Sequence, residues 1–527
     1  MTDPVGASLY DEIVYPSAPM PQTHPDRLAV LASFYGMQPA PVERCRILEL
    51  GCGDGSNLIP MALGLPEAEF VGIDLAAGPI ARGQETAQAL GLRNITLRRE
   101  NVLALARQVA PIEPFDYIIA HGLYSWVSAD ARHAILQIFR RLLAPHGVAY
   151  LSYNAYPGSH LRDMVREMLL YHAAGSNDSQ LTIARAHGLA RVLADAMPAA
   201  DELVSIRASL RTAAARDPAA LFHDELAPEY QAFYFHQVVR HAAEQGLQYL
   251  AEADFLEMQD HAFRPNVREI LQTIEQERGR VAREQYLDFI KGRRFRQTLL
   301  CRADVALDRT PSSGDVRHFL IASPMRCASD EPDLRPGVIQ AFDGSGQARV
   351  QIDLPLAKAA FLELGEAWPA RLSFDELADR ACRRLVDHEL AVTHDEDAQH
   401  TLANVLFDSF GAGLLQLYAW MPNFTLQPGE RPTVSPLARL QAMRGPPPGI
   451  TTLLHTTVAV DDPLARQTLR LLDGTRDRAA LLADLQVWAR DHHQPDAPAI
   501  GAATDELNPR TAVASLQGLA RLGLLVS

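Results

Sequence analysis

The first 155 residues alternate short apolar runs with stretches of helical period. Residues 46–50, 69–75, 94–98, 115–120 and 148–153 are compact apolar runs that read as strands. Between them, 56–65, 79–90 and 130–143 carry apolar residues three and four apart, the last at Ala134, Ile135, Ile138, Leu142 and Leu143. Pro79 in the first turn and Gly91 just past the last turn bracket the second helix. Strands that alternate with helices predict an α/β fold, a Rossmann-like parallel sheet with crossover helices.

The pattern changes after Asn154. Residues 161–244 are helical by period, with an alanine-rich stretch at 184–200, and strand-like runs return at 247–250 and 294–301. We expect those two runs to be late antiparallel strands of the same sheet, with the helices between them as an insertion. Farther on, 316–323 and 348–354 read as strands flanking a glycine-rich turn at 344–346, and helices follow at 374–385 and 402–415. Seven prolines and two glycines in 422–448 suggest a linker. Three helical stretches and a close at Leu522-Gly523-Leu524-Leu525 suggest a winged-helix-like end. The expected division is a core at 1–160, a helical insertion at 161–245, late strands at 246–303, an α+β middle domain at 304–435 and the winged-helix-like domain at 436–527.

Composition narrows the function. The chain has 527 residues, a formal charge of −15, 47% hydrophobic and 21% charged residues, values of an ordinary globular protein with several cores. An acidic balance argues against a protein that grips nucleic-acid phosphates. Arg476, Arg478, Arg490 and Arg510 lie among Asp473, Asp477, Asp484 and Asp491, so no basic stripe marks a recognition helix in the last domain. Five cysteines without a CxxC spacing give neither a disulfide framework nor a zinc site and suit a reducing, cytoplasmic compartment. No signal peptide is read at 1–10, and no apolar run approaches the roughly 20 residues of a membrane span.

The chemistry concentrates where the first predicted strand ends, in Glu49-Leu50-Gly51-Cys52-Gly53-Asp54-Gly55. Glycines there let the backbone turn sharply and let a ligand approach it closely. A dinucleotide fingerprint is spaced GxGxxG and seats a pyrophosphate. Here the spacing is GxGxG and Glu49 precedes it; a carboxylate repels a pyrophosphate and suits the ammonium and sulfonium of S-adenosylmethionine. Asp74, with Leu75 after it, closes the second strand, where a carboxylate can accept both ribose hydroxyls. Asn101 and the backbone N–H of Val102 are placed for adenine. His121 and Gly122 follow the fourth strand, at the carboxyl edge where such sheets bind ligands. Cys52 is read as a small backbone contact, not a nucleophile.

These residues resemble the class I S-adenosylmethionine-dependent methyltransferases. A narrower resemblance rests on the lead-in at 15–28, on His121-Gly122-Leu123-Tyr124-Ser125-Trp126, on Ser152-Tyr153-Asn154-Ala155-Tyr156-Pro157-Gly158 and on Phe222-His223-Asp224-Glu225-Leu226. They are similar to bacterial methyltransferases that carry a methyltransferase regulatory domain, among them the rickettsial lysine methyltransferases of outer-membrane proteins. Leu471-Leu472-Asp473-Gly474-Thr475-Arg476 resembles their winged-helix end. The resemblance implies methylation of lysine side chains of a protein substrate, a homodimer through the helical insertion, and Tyr15 and His24 folding over the cofactor as part of a lid.

Tyr124 and Tyr153 are candidates to orient an acceptor amine, each with half-buried packing as the alternative. Trp126 could wall an acceptor channel or attract a cation, and His121 could touch the cofactor or relay a proton. Thr23-His24-Pro25-Asp26 reads first as a helix start. His223-Asp224-Glu225 reads as a helix start or interdomain contact rather than a metal cluster. The competing functions are a methyltransferase for a small metabolite and a catalytically idle scaffold that keeps the cofactor fold; the intact Glu49, glycine loop and Asp74 argue against the scaffold.

Overall fold

The computed structural model describes residues 9–527 except 177, 199, 345–347, 392–394, 446–448 and 493–507, with backbone only at 9, 10 and 202. Most of the glycine-rich turn expected at 344–346, the last three residues of the expected linker and residues 1–8 of the leader reading lie outside that set.

Among the described residues, seven strands form one sheet: β1 (Arg46–Leu50), β2 (Glu69–Asp74), β3 (Ile95–Arg99), β4 (Phe115–Ala120), β5 (Leu143–Asn154), β6 (Leu247–Glu252) and β7 (Phe295–Arg302). Their order is β3-β2-β1-β4-β5-β7-β6. β1 to β5 run parallel, and β7 lies antiparallel between β5 and β6. The chain between β5 and β6 thus leaves the sheet and returns two strands beyond. β1 pairs with β2 on one side and β4 on the other. Crossovers diverge from that point, which opens a crevice at the carboxyl ends of the strands.

The central strands carry apolar residues toward both faces because both faces are covered. Ile47, Tyr117, Ile119, Val148 and Tyr150 enter one core, and their neighbours Leu48, Ile118, Ala120, Ala149 and Leu151 enter another. Helices Ala129–Leu142 and Phe235–Glu244 close the second face. The first face is closed by helix Pro25–Phe34 and by the middle segment, in one continuous cluster from Leu28 to Leu437. Phe34 of the first segment lies 5.3 Å from Phe319 and 5.8 Å from Phe410, ring centre to ring centre. The middle segment therefore extends the core of the sheet.

Two smaller cores among the described residues lie apart. Helices Ser159–Ala173, Ser179–Ala196, Val204–Ala215 and Pro218–Glu225 bury Leu169, Ala186, Ala190, Leu210 and Leu221 with Ile13 of the N-terminal segment. Helices Pro436–Arg444, Pro463–Leu471, Arg478–Asp491 and Pro509–Arg521 enclose the last core. Beside them, Ile450–Thr451 pairs with Thr457–Val458 in a short hairpin.

The middle segment departs from the expected strand pairing. The partner of Arg349–Ile352 is Gln340–Asp343, whereas Leu320–Ala322 joins a separate sheet with Leu372–Ser373 and Gln416–Tyr418. Residues 313–318 form a 3-10 turn instead of the start of a strand. Its cap explains this: Ser312 accepts from the Gly314 N–H while Asp315 accepts from the Ser312 N–H.

Candidate active site

β1 ends in a turn that residues from β2 hold in place. The N–H groups of Gly51 and Cys52 both donate to Ile73 O, at 2.8 and 3.1 Å. Gly51, Gly53 and Gly55 have φ of +74°, +55° and +72°, a region that L side chains adopt at a cost. Gly83, on helix Ala77–Ala89, meets the turn so closely that a Cβ there would fall 2.5 Å from Asp54 O. The turn borders a cleft of about 980 Å³ that runs from the carboxyl ends of β1, β2 and β4 to the helices of the insertion.

Glu49, Gly51, Cys52, Gly53, Asp74, Leu75, Asn101, Val102, His121, Gly122, Trp126 and Tyr15 all line this cleft. Asp74 accepts the Gly53 N–H at 2.9 Å and the Ala76 N–H at 2.8 Å, one on each oxygen. Burial raises its pKa against those two donors. Each oxygen keeps a second lone pair for a ribose hydroxyl. Asn101 caps helix Val102–Arg107, its Oδ1 accepting from the Leu103 N–H, so its amide nitrogen is the group available to a ligand. Burial lifts the Cys52 thiol far above its usual range, which leaves it without nucleophilic character.

Glu49 shows best what the cleft is built to hold. It is buried; Oε1 accepts from Asn57 Nδ2 at 2.9 Å, and Oε2 has no partner among the described residues. Burial pushes its pKa up to about 8, assisted by the nearby Asp74 and Asp54 and opposed by the Asn57 amide. A buried acceptor without a partner is costly, and a cation in the cleft would both satisfy it and restore its charge. The residues present therefore fit S-adenosylmethionine: an acid for its ammonium, a glycine turn for its amino-acid portion and a carboxylate for its ribose.

Several expected residues stand elsewhere. His24 is not in the lining; it caps helix Pro25–Phe34, with Nδ1 2.6 Å from Asp26 Oδ1 and its ring stacked on Trp420. Gly55 packs against Ile59 and Leu97 behind the turn. Tyr153 points to the opposite face of β5 and bonds Thr298 Oγ1 at 3.1 Å. Tyr124 turns inward, its hydroxyl 2.8 Å from His241 Nδ1. Neither tyrosine lines the cleft. His121 does, with Nδ1 3.1 Å from the Tyr150 hydroxyl and 3.3 Å from Ser152 Oγ. Burial lowers its pKa to about 4, so its imidazole is neutral at physiological pH and holds a proton poorly. The ring of Trp126 already carries the Arg162 guanidinium, 5.2 Å from its centre.

Sequence reasoning missed the far wall of the cleft. Arg162 bonds Asn154 Oδ1 at 3.1 Å and Glu225 Oε1 at 3.1 Å, and Arg216 bonds Asp224 at 2.7 Å and Glu225 at 3.1 Å. These groups come from three helices of the insertion and the end of β5. The N-terminal segment crosses above them: Asp11 accepts the Gly78 N–H at 2.7 Å, Ile13 O lies 2.7 Å from His223 Nε2, and the Tyr15 and His223 rings meet edge on at 5.7 Å. Burial, with Asp224 close by, pushes the Tyr15 hydroxyl up to about 12. The sequence signal was the His223-Asp224-Glu225 run. Among the described residues no group of three His, Cys, Asp or Glu side chains could hold a metal, and no helix is long and apolar enough to cross a membrane.

A sheet of this order, an acid before a glycine turn at the end of β1 and a carboxylate at the end of β2 define a class I, S-adenosylmethionine-dependent methyltransferase. Comparison with known proteins makes this more specific. A methyltransferase domain profile matches residues 48–149, the "Predicted methyltransferase regulatory domain" matches 217–302, and the "PKMT, C-terminal winged helix domain" matches 430–516. The uncharacterized protein RP789 of Rickettsia prowazekii (strain Madrid E) is 31% identical over 489 residues, 90% of this chain and 84% of its own. The structure of PKMT2 from Rickettsia typhi, solved alone and in complex with AdoHcy, superposes with a TM-score of 0.85 at 24% identity, over 97% of this chain and 100% of that one. The chain belongs to the family of RP789, methyltransferases with a regulatory domain and a PKMT-type winged-helix end.

Proposed function

We propose that this protein transfers methyl groups from S-adenosylmethionine to lysine side-chain amines of a protein. The observation that carries the reading is the extent of the cleft. It continues from Glu49 and Asp74, past His121 and Trp126, to a charged wall at Arg162, Arg216, Asp224 and Glu225. The likeness to a chain titled PKMT2 and the PKMT winged-helix match support a protein acceptor. Five cysteines without a CxxC spacing suit action in a reducing cytoplasm.

The bound cofactor supplies an electrophilic methyl group on a sulfonium. Glu49 would hold the ammonium, Asp74 the ribose hydroxyls, and Asn101 with the Val102 N–H the adenine. The chain's remaining task is to present a neutral amine in line, since an ammonium has no lone pair. The unperturbed lysine pKa is about 10.4, and entry into a partly apolar cleft lowers it. With Tyr124 and Tyr153 turned away, the groups near enough to orient the amine are His121 and Asn154. The proton leaves toward solvent or the carboxylates of the far wall. The insertion exposes Tyr171, Leu181, Val192 and Val204, apolar side chains that suit a homodimer contact, which sedimentation of the full chain would detect.

The test is incubation of the full chain with methyl-labelled S-adenosylmethionine and a lysate of its own cells, with Asp74→Ala as the blank. Label in intact protein, mapped to lysine and lost in the blank, supports the reading. Label confined to small molecules overturns it in favour of a metabolite methyltransferase.

A further inference from the structure

The last domain reaches the cofactor site through the side chain of His455. His455 sits in the turn of the short hairpin, is buried, and has φ +57°, a conformation that favours glycine or asparagine. The turn is fixed from two sides: Thr452 N–H donates to Thr456 O at 2.8 Å, and Leu453 N–H donates to Gly523 O at 2.8 Å. Held there, His455 Nε2 lies 3.0 Å from Asn57 Oδ1.

Asn57 is the residue that holds Glu49. Its Oδ1 accepts the Met20 N–H at 2.9 Å, and a backbone N–H can only donate, so that atom is fixed as the oxygen. Its Nδ2 donates to Glu49 Oε1 at 2.9 Å and to Thr23 Oγ1 at 3.0 Å. With Oδ1 an acceptor, His455 must donate from Nε2, which defines its tautomer. Its Nδ1 is buried without a partner among the described residues.

We propose that His455 is a positioning residue of the cofactor site: by donating to Asn57 it fixes the amide that orients Glu49, so that docking of the last domain sets cofactor affinity. The inference rests on the S-adenosylmethionine reading of the cleft. A second contact holds the same domain in place, Arg444 donating to Thr86 Oγ1 at 2.7 Å on helix Ala77–Ala89, which follows Asp74. The strained turn is the clue: a non-glycine residue is kept in the left-handed region where its side chain meets the site.

The test compares His455→Leu, His455→Asn and His455→Gln in the full chain, measuring S-adenosylhomocysteine binding by calorimetry and ligand-free melting. Leucine cannot donate. Asparagine tolerates the turn but is too short to reach Asn57, and so serves as the second disabling variant should leucine fail to fold. Glutamine can reach and donate. We expect about tenfold weaker binding for leucine and asparagine, near wild-type binding for glutamine, and no further loss when His455→Asn is added to Glu49→Gln. Wild-type affinity in the asparagine variant overturns the inference, as does an equal loss on both backgrounds, which marks a merely structural role. Failure of the wild-type chain to bind at all overturns the cofactor reading instead.

Discussion

Asn57 holds one oxygen of Glu49 at 2.9 Å and leaves the other with no partner among the described residues. A carboxylate so placed costs the ligand-free protein stability, and in the proposed placement it gains its partner when the cofactor binds. Glu49→Gln should therefore weaken S-adenosylmethionine binding at least about tenfold, since a hydrogen bond to a charged group contributes about 1.5–3 kcal/mol. The same substitution should raise the ligand-free melting temperature at pH 8 or above. Calorimetry and differential scanning fluorimetry check the two halves separately.

Proton linkage follows from the same residue. With its pKa pushed up to about 8 by burial, Glu49 is mainly protonated in the ligand-free protein at pH 7, and in the proposed placement it becomes a carboxylate beside the cofactor's ammonium. Cofactor binding at pH 7 should release close to one proton, and affinity should rise with pH before levelling off above about 8. The sign for folding is opposite: the raised pKa makes this group favour the folded state below the unfolded carboxyl range, and that contribution fades as pH climbs toward 8. Titrations in two buffers of different ionisation enthalpy measure the released proton; uptake of a proton would contradict the assignment.

Tyr124 and Tyr153 face the core below the cleft, so we expect their hydroxyls to contribute to stability rather than catalysis. Tyr124→Phe and Tyr153→Phe should each cost about 1 kcal/mol of stability and change the turnover rate by less than about threefold. Nor should the pH–rate profile show an inflection near 6.5 from His121, whose pKa is lowered to about 4. Steady-state kinetics on the labelled protein product checks both.

Arg296 is fully buried and pairs with Glu252 at 2.6 Å, Asp288 at 2.8 Å and Glu284 at 3.2 Å. Its removal takes the shared cation from three buried carboxylates, leaving Asp288 with Arg293, Glu284 with Arg283 and Glu252 with the Thr298 hydroxyl and the Gln297 N–H. Arg296→Met should destabilise the protein by about 3–5 kcal/mol, visible as a melting point lowered by several degrees with cofactor affinity unchanged in the folded fraction.

The sheet and its glycine turn were legible because they depend on neighbours in sequence: the strand runs, the glycine spacing and the acid before them lie within one strand-turn-helix unit. The late strands were legible from their apolar runs, since β7 is buried on both faces. Side-chain direction was not. Tyr153 and Asn154 are adjacent on β5, and which of them faces the cleft is set by strand parity against β7. Tyr124 and Trp126 share one 3-10 turn, yet only Trp126 meets the cleft. Asn57, His455 and the Arg162–Glu225 wall escaped notice because each joins residues far apart in sequence. The strand pairing of the middle segment was misread because Gln340–Asp343 is too short and too mixed in polarity to announce itself.

One core that runs from Leu28 to Leu437 also bears on how the molecule is made. A ribosome that has released only the first 303 residues has produced every strand of the large sheet, but one face of it still lacks Phe319, Phe361 and Leu406. Such a nascent chain would display sticky apolar surface until the middle segment emerges, so synthesis of this protein should depend on chaperone shelter until late in translation.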